Sequence, residues 1–225
     1  MESKPETNAG AMSMAARVQA IRGRMAAACA RVGRDPREVA LLPVSKTFGL
    51  EAIREAVSLG FRRFGENRTQ ELVQKAPALS DCGIDWVIIG HLQTNKAKEV
   101  ARYASELQSL DRLDLAQALD RRLQQEGRAI DVLVQVKTSD EQTKSGLEPV
   151  GLIPLLREIS RIQTLRVRGL MTIAALSDDP AVARRCFAAL AQLRDQAQAQ
   201  GIEGFAAECM YVLIQNGYGS CIRLQ

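Results

Sequence analysis

EVALLPVSKTFG, residues 38–49, sets the apolar run Val39 to Val44 almost directly against a lysine, Lys46. Lysine is scarce in this chain: of 30 basic residues, 23 are arginine and only seven are lysine. Two readings compete for Lys46. A strand that has reached solvent can end in any charge. Alternatively, an amine at the mouth of a buried strand is partly desolvated, its pKa falls, and it can attack a carbonyl.

Outward from this stretch, apolar runs alternate with amphipathic segments. Upstream, Val18, Ile21, Met25, Ala28 and Val32 recur at three- and four-residue steps and predict a helix over 13–34, broken by Asp35-Pro36. Strands are predicted over 39–44, 61–64, 86–89, 106–110, 131–136 and 165–170. Helices are predicted over 50–59, 68–75, 95–103, 112–126, 150–161 and 180–200. This alternation predicts parallel βαβ units, either as an open doubly wound sheet or as a (β/α)₈ barrel. An open sheet usually announces a phosphate site with a Gly-rich first turn, and Ser45-Lys46-Thr47-Phe48-Gly49 is not one. A barrel puts its working residues just past each strand's C-terminal end. Here those positions hold Lys46, Glu66 with Asn67, His91 with Gln93, Asp111, Thr138 with Ser139, and Met171 with Thr172. The pattern predicts the barrel.

Composition excludes several classes of function. The net charge of +4 comes from scattered arginines, and aromatics make up 4%, so the basic stripe with interleaved aromatics that nucleic acid requires is missing. Five scattered cysteines and one histidine make no zinc pattern, so no metal is expected, and their odd count suits a reducing cytoplasm. No apolar run approaches membrane-spanning length, and the first residues lack the layout of a signal peptide. The expected division is a flexible extension over 1–11, the barrel over 12–200 and a divergent tail over 201–225.

LLPVSKT, FGENRTQE, IIGHLQTNK, SLDR, TKSG and VRGLMTI follow one another at βα-repeat spacing between residues 41 and 173. Together they resemble the pyridoxal phosphate homeostasis protein family, similar in fold to the barrel domain of alanine racemase. The resemblance implies pyridoxal 5′-phosphate held as an internal aldimine on Lys46. That chemistry needs a primary amine able to reach its neutral form, which arginine cannot supply. It also implies that Asn67, His91 and Met171 lie near the cofactor. The residues themselves leave alternatives. Asn67, like Glu66, suits capping of the next helix; His91 suits a hydrogen-bonded strand end; Met171 suits plain core. Lys144 in TKSG is the other candidate amine, in a polar loop.

The resemblance stops near Gly201. The family's barrel goes on to a Ser-Met-Gly-Met-Ser strand and one ending in Arg-Val/Ile-Gly-Thr, which grip the phosphate and approach the pyridine nitrogen. This chain instead reads IEGFAAECMYVLIQNGYGSCIRLQ, residues 202–225. Two parallel strands with a crossover helix need about thirty residues, so one strand near 210–215 is expected. The barrel is then incomplete or divergent at its C-terminal end, with edges open beside the first and sixth strands. Residues 216–220, NGYGS, suit either an anion-binding turn or an ordinary tail turn. Cofactor affinity should fall by several kcal/mol if two or three charge-assisted hydrogen bonds of ~1.5–3 kcal/mol each are missing.

The expected function is a monomeric protein that buffers pyridoxal phosphate, with pyridoxal-phosphate-dependent apoenzymes as recipients and at most slow proton transfer. Alanine racemases add a second base, a tyrosine from another domain, and Tyr103, Tyr211 and Tyr218 stand in no matching context. The alternatives are an amino-acid racemase or decarboxylase, an aldolase-like Schiff-base barrel without the cofactor, and a barrel impaired in binding it.

Overall fold

A computed structural model describes residues 12–139, 145–202, 205–206, 208–215 and 218–224. The expected extension over 1–11 and Lys144 lie outside the described residues. A first helix, α1 (Met14–Arg31), begins where the Ser13 hydroxyl accepts the Ala16 N–H at 3.2 Å. Strands and helices then alternate: β1 (Val39–Leu42), α2 (Leu50–Ser58), β2 (Arg63–Glu66), α3 (Thr69–Ala78), β3 (Asp85–Ile88) and α4 (Ala97–Tyr103). The series continues with β4 (Glu106–Leu110), α5 (Leu113–Glu126), β5 (Ile130–Gln135), α6 (Leu152–Ile159), β6 (Leu165–Ile173) and α7 (Pro180–Ala199). β2 to β7 run parallel, each beside its sequence neighbour.

The C-terminal end diverges from the (β/α) repeat, and one expectation is corrected there. β7 (Glu208–Gln215) is followed by β8 (Tyr218–Leu224), antiparallel both to β7 and to β1. A parallel strand needs a crossover of a dozen or more residues, but an antiparallel partner needs only a hairpin. The short tail therefore supplies two strands, and the edges expected beside β1 and β6 are paired. Residues 218–220 belong to β8, while Asn216 and Gly217 lie outside the described residues. At the other seam, a parallel bridge joins Val44 to Gly65. The Ser45 N–H donates to the Gly65 carbonyl at 2.9 Å, and the Gly65 N–H donates to the Pro43 carbonyl at 2.8 Å. The sheet thus closes on itself.

The two faces of the sheet divide the apolar residues. Leu72, Leu107, Leu119, Val132, Leu156 and Leu190 pack between strands and helices. Inside the barrel, Leu42, Val87, Ile89, Leu133, Met171 and Met210 form a second buried cluster. Towards the start of the strands the interior turns ionic. Arg63 pairs with Glu106, Arg166 with Asp131 at 2.6 Å, and Arg168 with Glu208 at 3.0 Å. In a barrel, residues at this end serve stability and chemistry belongs to the opposite rim.

Candidate functional site

Lys46 stands on that opposite rim. Leu42 and Val44 belong to the interior layer, and Lys46 continues their two-residue alternation past the last strand bond. Its side chain is half-buried and makes no hydrogen bond or ion pair with the described residues. Met171, three strands away from β3 in sheet order, is fully buried in the apolar interior layer.

Asn67 does not cap α3. The N-cap position belongs to Arg68 and carries no side-chain cap bond, so the capping reading is corrected for Glu66 and Asn67 alike. Asn67 is half-buried, and its backbone is pressed against Gly90 of IIGH. A Cβ on Gly90 would overlap the Asn67 carbonyl oxygen. Gly90→Ala is therefore expected to lower stability by about 1–3 kcal/mol, the range for overpacking, as read by the urea midpoint.

His91 is exposed, with Nδ1 3.4 Å from Asp111 Oδ2. Asn67 and His91 line a cavity of about 190 Å³ with Arg68, Gln93 and Lys96, and neither Lys46 nor Met171 is part of its wall. The structure thus brings Asn67 together with His91, apart from Lys46 on the rim and Met171 in the interior layer. Thr138 and Thr172 bond one another at 2.8 Å and tie the tops of β5 and β6 together. No group of three or more His, Cys, Asp or Glu is placed to hold a metal among the described residues.

A buried ionic cluster behind the rim was not legible in the sequence. Lys75 Nζ on α3 donates to Glu66 Oε1 at 2.8 Å, to Glu71 Oε2 at 2.6 Å and to the Ser45 carbonyl at 2.7 Å. The Ser45 hydroxyl also donates to Glu66 Oε1 at 2.6 Å, and the Thr47 N–H donates to Glu71 Oε2 at 2.8 Å. Thr47 adopts φ 67°, a left-handed conformation that a β-branched residue holds only under compulsion. An i,i+4 Glu-Lys pair such as Glu71 and Lys75 reads in a sequence as an exposed helix pair, which hides its role here. The second strand ends on Glu66, which has no accessible surface, whereas the sequence predicts the strand to end at Phe64.

Burial pushes the Glu66 carboxyl above the usual glutamate range, against hydrogen bonds from Lys75 and Ser45. Burial also pushes Glu71 up, but hydrogen bonds from Lys75 and the Thr47 amide outweigh it and leave that carboxyl below the range. Folded Glu66 holds its proton more tightly than unfolded Glu66. Stability therefore falls as pH rises from the ordinary glutamate value through the raised one. Glu71 has the opposite sign: its contribution is present above the ordinary value and is lost as pH falls through the lowered one. Glu66→Gln should flatten the first segment of the pH–stability curve and keep the second, as measured by urea unfolding across pH.

The family model for the alanine racemase N-terminal domain matches residues 17–210. The pyridoxal phosphate homeostasis protein of Aquifex aeolicus is 37% identical over 187 residues, 83% of this chain and 82% of that protein. Its namesake in Escherichia coli K12 is 40% identical over 158 residues, 69% and 68% of the two chains. Among solved structures, PipY of Synechococcus elongatus PCC7942 with PLP bound superposes with a TM-score of 0.75 at 32% identity. It covers 86% of this chain and 85% of its own. An alanine racemase of Clostridium difficile 630 shares the fold alone, with a TM-score of 0.62 at 13% identity over 78% of this chain and 47% of its own.

Proposed function

The chain belongs to the pyridoxal phosphate homeostasis protein family, and from that premise we infer that it binds pyridoxal 5′-phosphate through Lys46 and holds or hands on the cofactor. The observation that carries this reading is a half-buried primary amine, unpartnered among the described residues, above an apolar barrel interior. The donor set fits the group. Lys46 offers the amine and Asn67 an amide not spent on a helix cap, with Met171 part of the buried apolar layer beneath. His91 is a weaker member, already facing Asp111. The cofactor supplies an aldehyde with which a neutral amine condenses, releasing water.

Catalytic turnover would need a second proton-transfer group opposite Lys46. Tyr103 ends α4 just ahead of β4, at the far end of the barrel, and packs on the outer layer. It is out of reach of the rim. No tyrosine among the described side chains stands opposite Lys46, and a single amine moves a proton only slowly, so we read the protein as a carrier with at most weak racemase-like activity.

Titration of the purified protein with pyridoxal phosphate tests this. A visible band saturating near one cofactor per chain, cofactor transfer to a pyridoxal-phosphate-dependent apoenzyme and negligible alanine racemisation are expected. Steady racemisation would make the protein an enzyme, and no band would remove the cofactor altogether.

A further inference from the structure

We propose that Glu71, anchored by Lys75, is a positioning residue that aims Lys46 at the barrel interior. The inference deepens the cofactor reading and rests on it. It starts from the two peptide groups that flank the Lys46 Cα. The Ser45 carbonyl, on one side, accepts from Lys75 Nζ at 2.7 Å. The Thr47 N–H, on the other, donates to Glu71 Oε2 at 2.8 Å. Both grips come from α3, and both reach the lysine's own backbone.

The grip has something to hold. Thr47 at φ 67° would relax towards negative φ if released, and a strained turn persists only where its surroundings over-determine it. Glu71 supplies that constraint, and Lys75 Nζ fixes Glu71 at 2.6 Å while being fixed itself by Glu66 at 2.8 Å. The anchor is buried, with Glu66 at 0% and Lys75 at 9% side-chain exposure, so solvent does little to loosen it, while the bond from the Thr47 N–H to Glu71 lies at the exposed edge of the cluster. It lies between the sheet and α3, whereas Lys46 continues the inward alternation of Leu42 and Val44. Glu71 therefore acts through the backbone and does not touch the cofactor.

The test uses the full chain and two readouts. In the first, borohydride captures pyridoxal phosphate on the protein as a function of time. Glu71→Ala should slow capture roughly 10- to 100-fold, the scale on which ~1 Å of misplacement acts. Glu71→Gln keeps an oxygen for the Thr47 N–H and should restore most of the rate. In the second, the cofactor-free protein is methylated with formaldehyde and a mild reductant, and mass spectrometry compares Lys46 with exposed Lys98. The Lys46 to Lys98 ratio should shift in Glu71→Ala and return to that of the parent in Glu71→Gln.

Circular dichroism confirms folding, and Glu71→Met, which fills the same space but offers the Thr47 N–H no oxygen, carries the same expected slowing if the alanine variant does not fold. Capture by Glu71→Ala at the parental rate would overturn the proposal. So would equal slowing in both variants, because loss of charge alone would then account for it. Failure of the underlying reading looks different: Lys46→Ala would then still capture the cofactor, whatever the Glu71 variants do.

Discussion

Lys46→Ala protein mixed with pyridoxal phosphate is expected to show no visible band beyond that of the free cofactor and to release all cofactor on gel filtration. The remaining contacts cannot substitute. Arginine at this position should fail too, because a guanidinium stays protonated and presents no free amine. The described alternatives are poorly placed for rescue. Lys75 is committed to three acceptors behind the barrel wall, and Lys137 is paired with Glu148 at 2.7 Å. Lys96 belongs to the separate cavity beside His91. The fold should survive the change, since Lys46 makes no bond that the barrel needs. An unchanged urea midpoint alongside a lost band separates a chemical role from a structural one.

Lys75→Met should be the most destabilising single change at the rim. It removes the cation shared by Glu66, Glu71 and the Ser45 carbonyl and leaves two carboxylates in one largely buried cluster. Breaking a buried pair from one side costs about 3–5 kcal/mol, because the abandoned charge stays desolvated. An exposed pair would cost under about 1 kcal/mol. The sign of the pH dependence follows from Glu66. Its carboxyl is already pushed up by burial, and loss of Lys75 removes a force that lowers it. The variant can recover stability by taking up a proton, so its deficit should be greatest at neutral and higher pH and shrink on acidification. Adding Glu66→Gln should recover part of the loss, and the pair should be non-additive. A deficit below about 1 kcal/mol at neutral pH would mean the cluster is not buried as described.

The helices and parallel strands were legible because buried strands and amphipathic helices leave different apolar periods, and this chain keeps both. The second strand was displaced by two residues, to Arg63–Glu66, because Gly65-Glu66 reads as a turn although it is strand. The last strand is not legible because the barrel repeat predicts a parallel partner, and an antiparallel return obeys a shorter length rule. At the site, Lys46 announced itself as a rare residue type after an apolar run. Glu71 and Lys75 could not, because their spacing is shared by every exposed i,i+4 pair and only the fold turns them towards the rim. Asn67 was ambiguous until the helix start proved to be uncapped by its side chain.

The most direct test of the cofactor assignment is to reduce the protein–pyridoxal phosphate mixture with borohydride, digest it with trypsin and locate the added mass. A blocked Lys46 stops cleavage there, so the account predicts a phosphopyridoxyl-bearing peptide spanning residues 38–54, near one equivalent per chain. Label spread over several lysines, or concentrated on Lys96, Lys137 or Lys144, would contradict it.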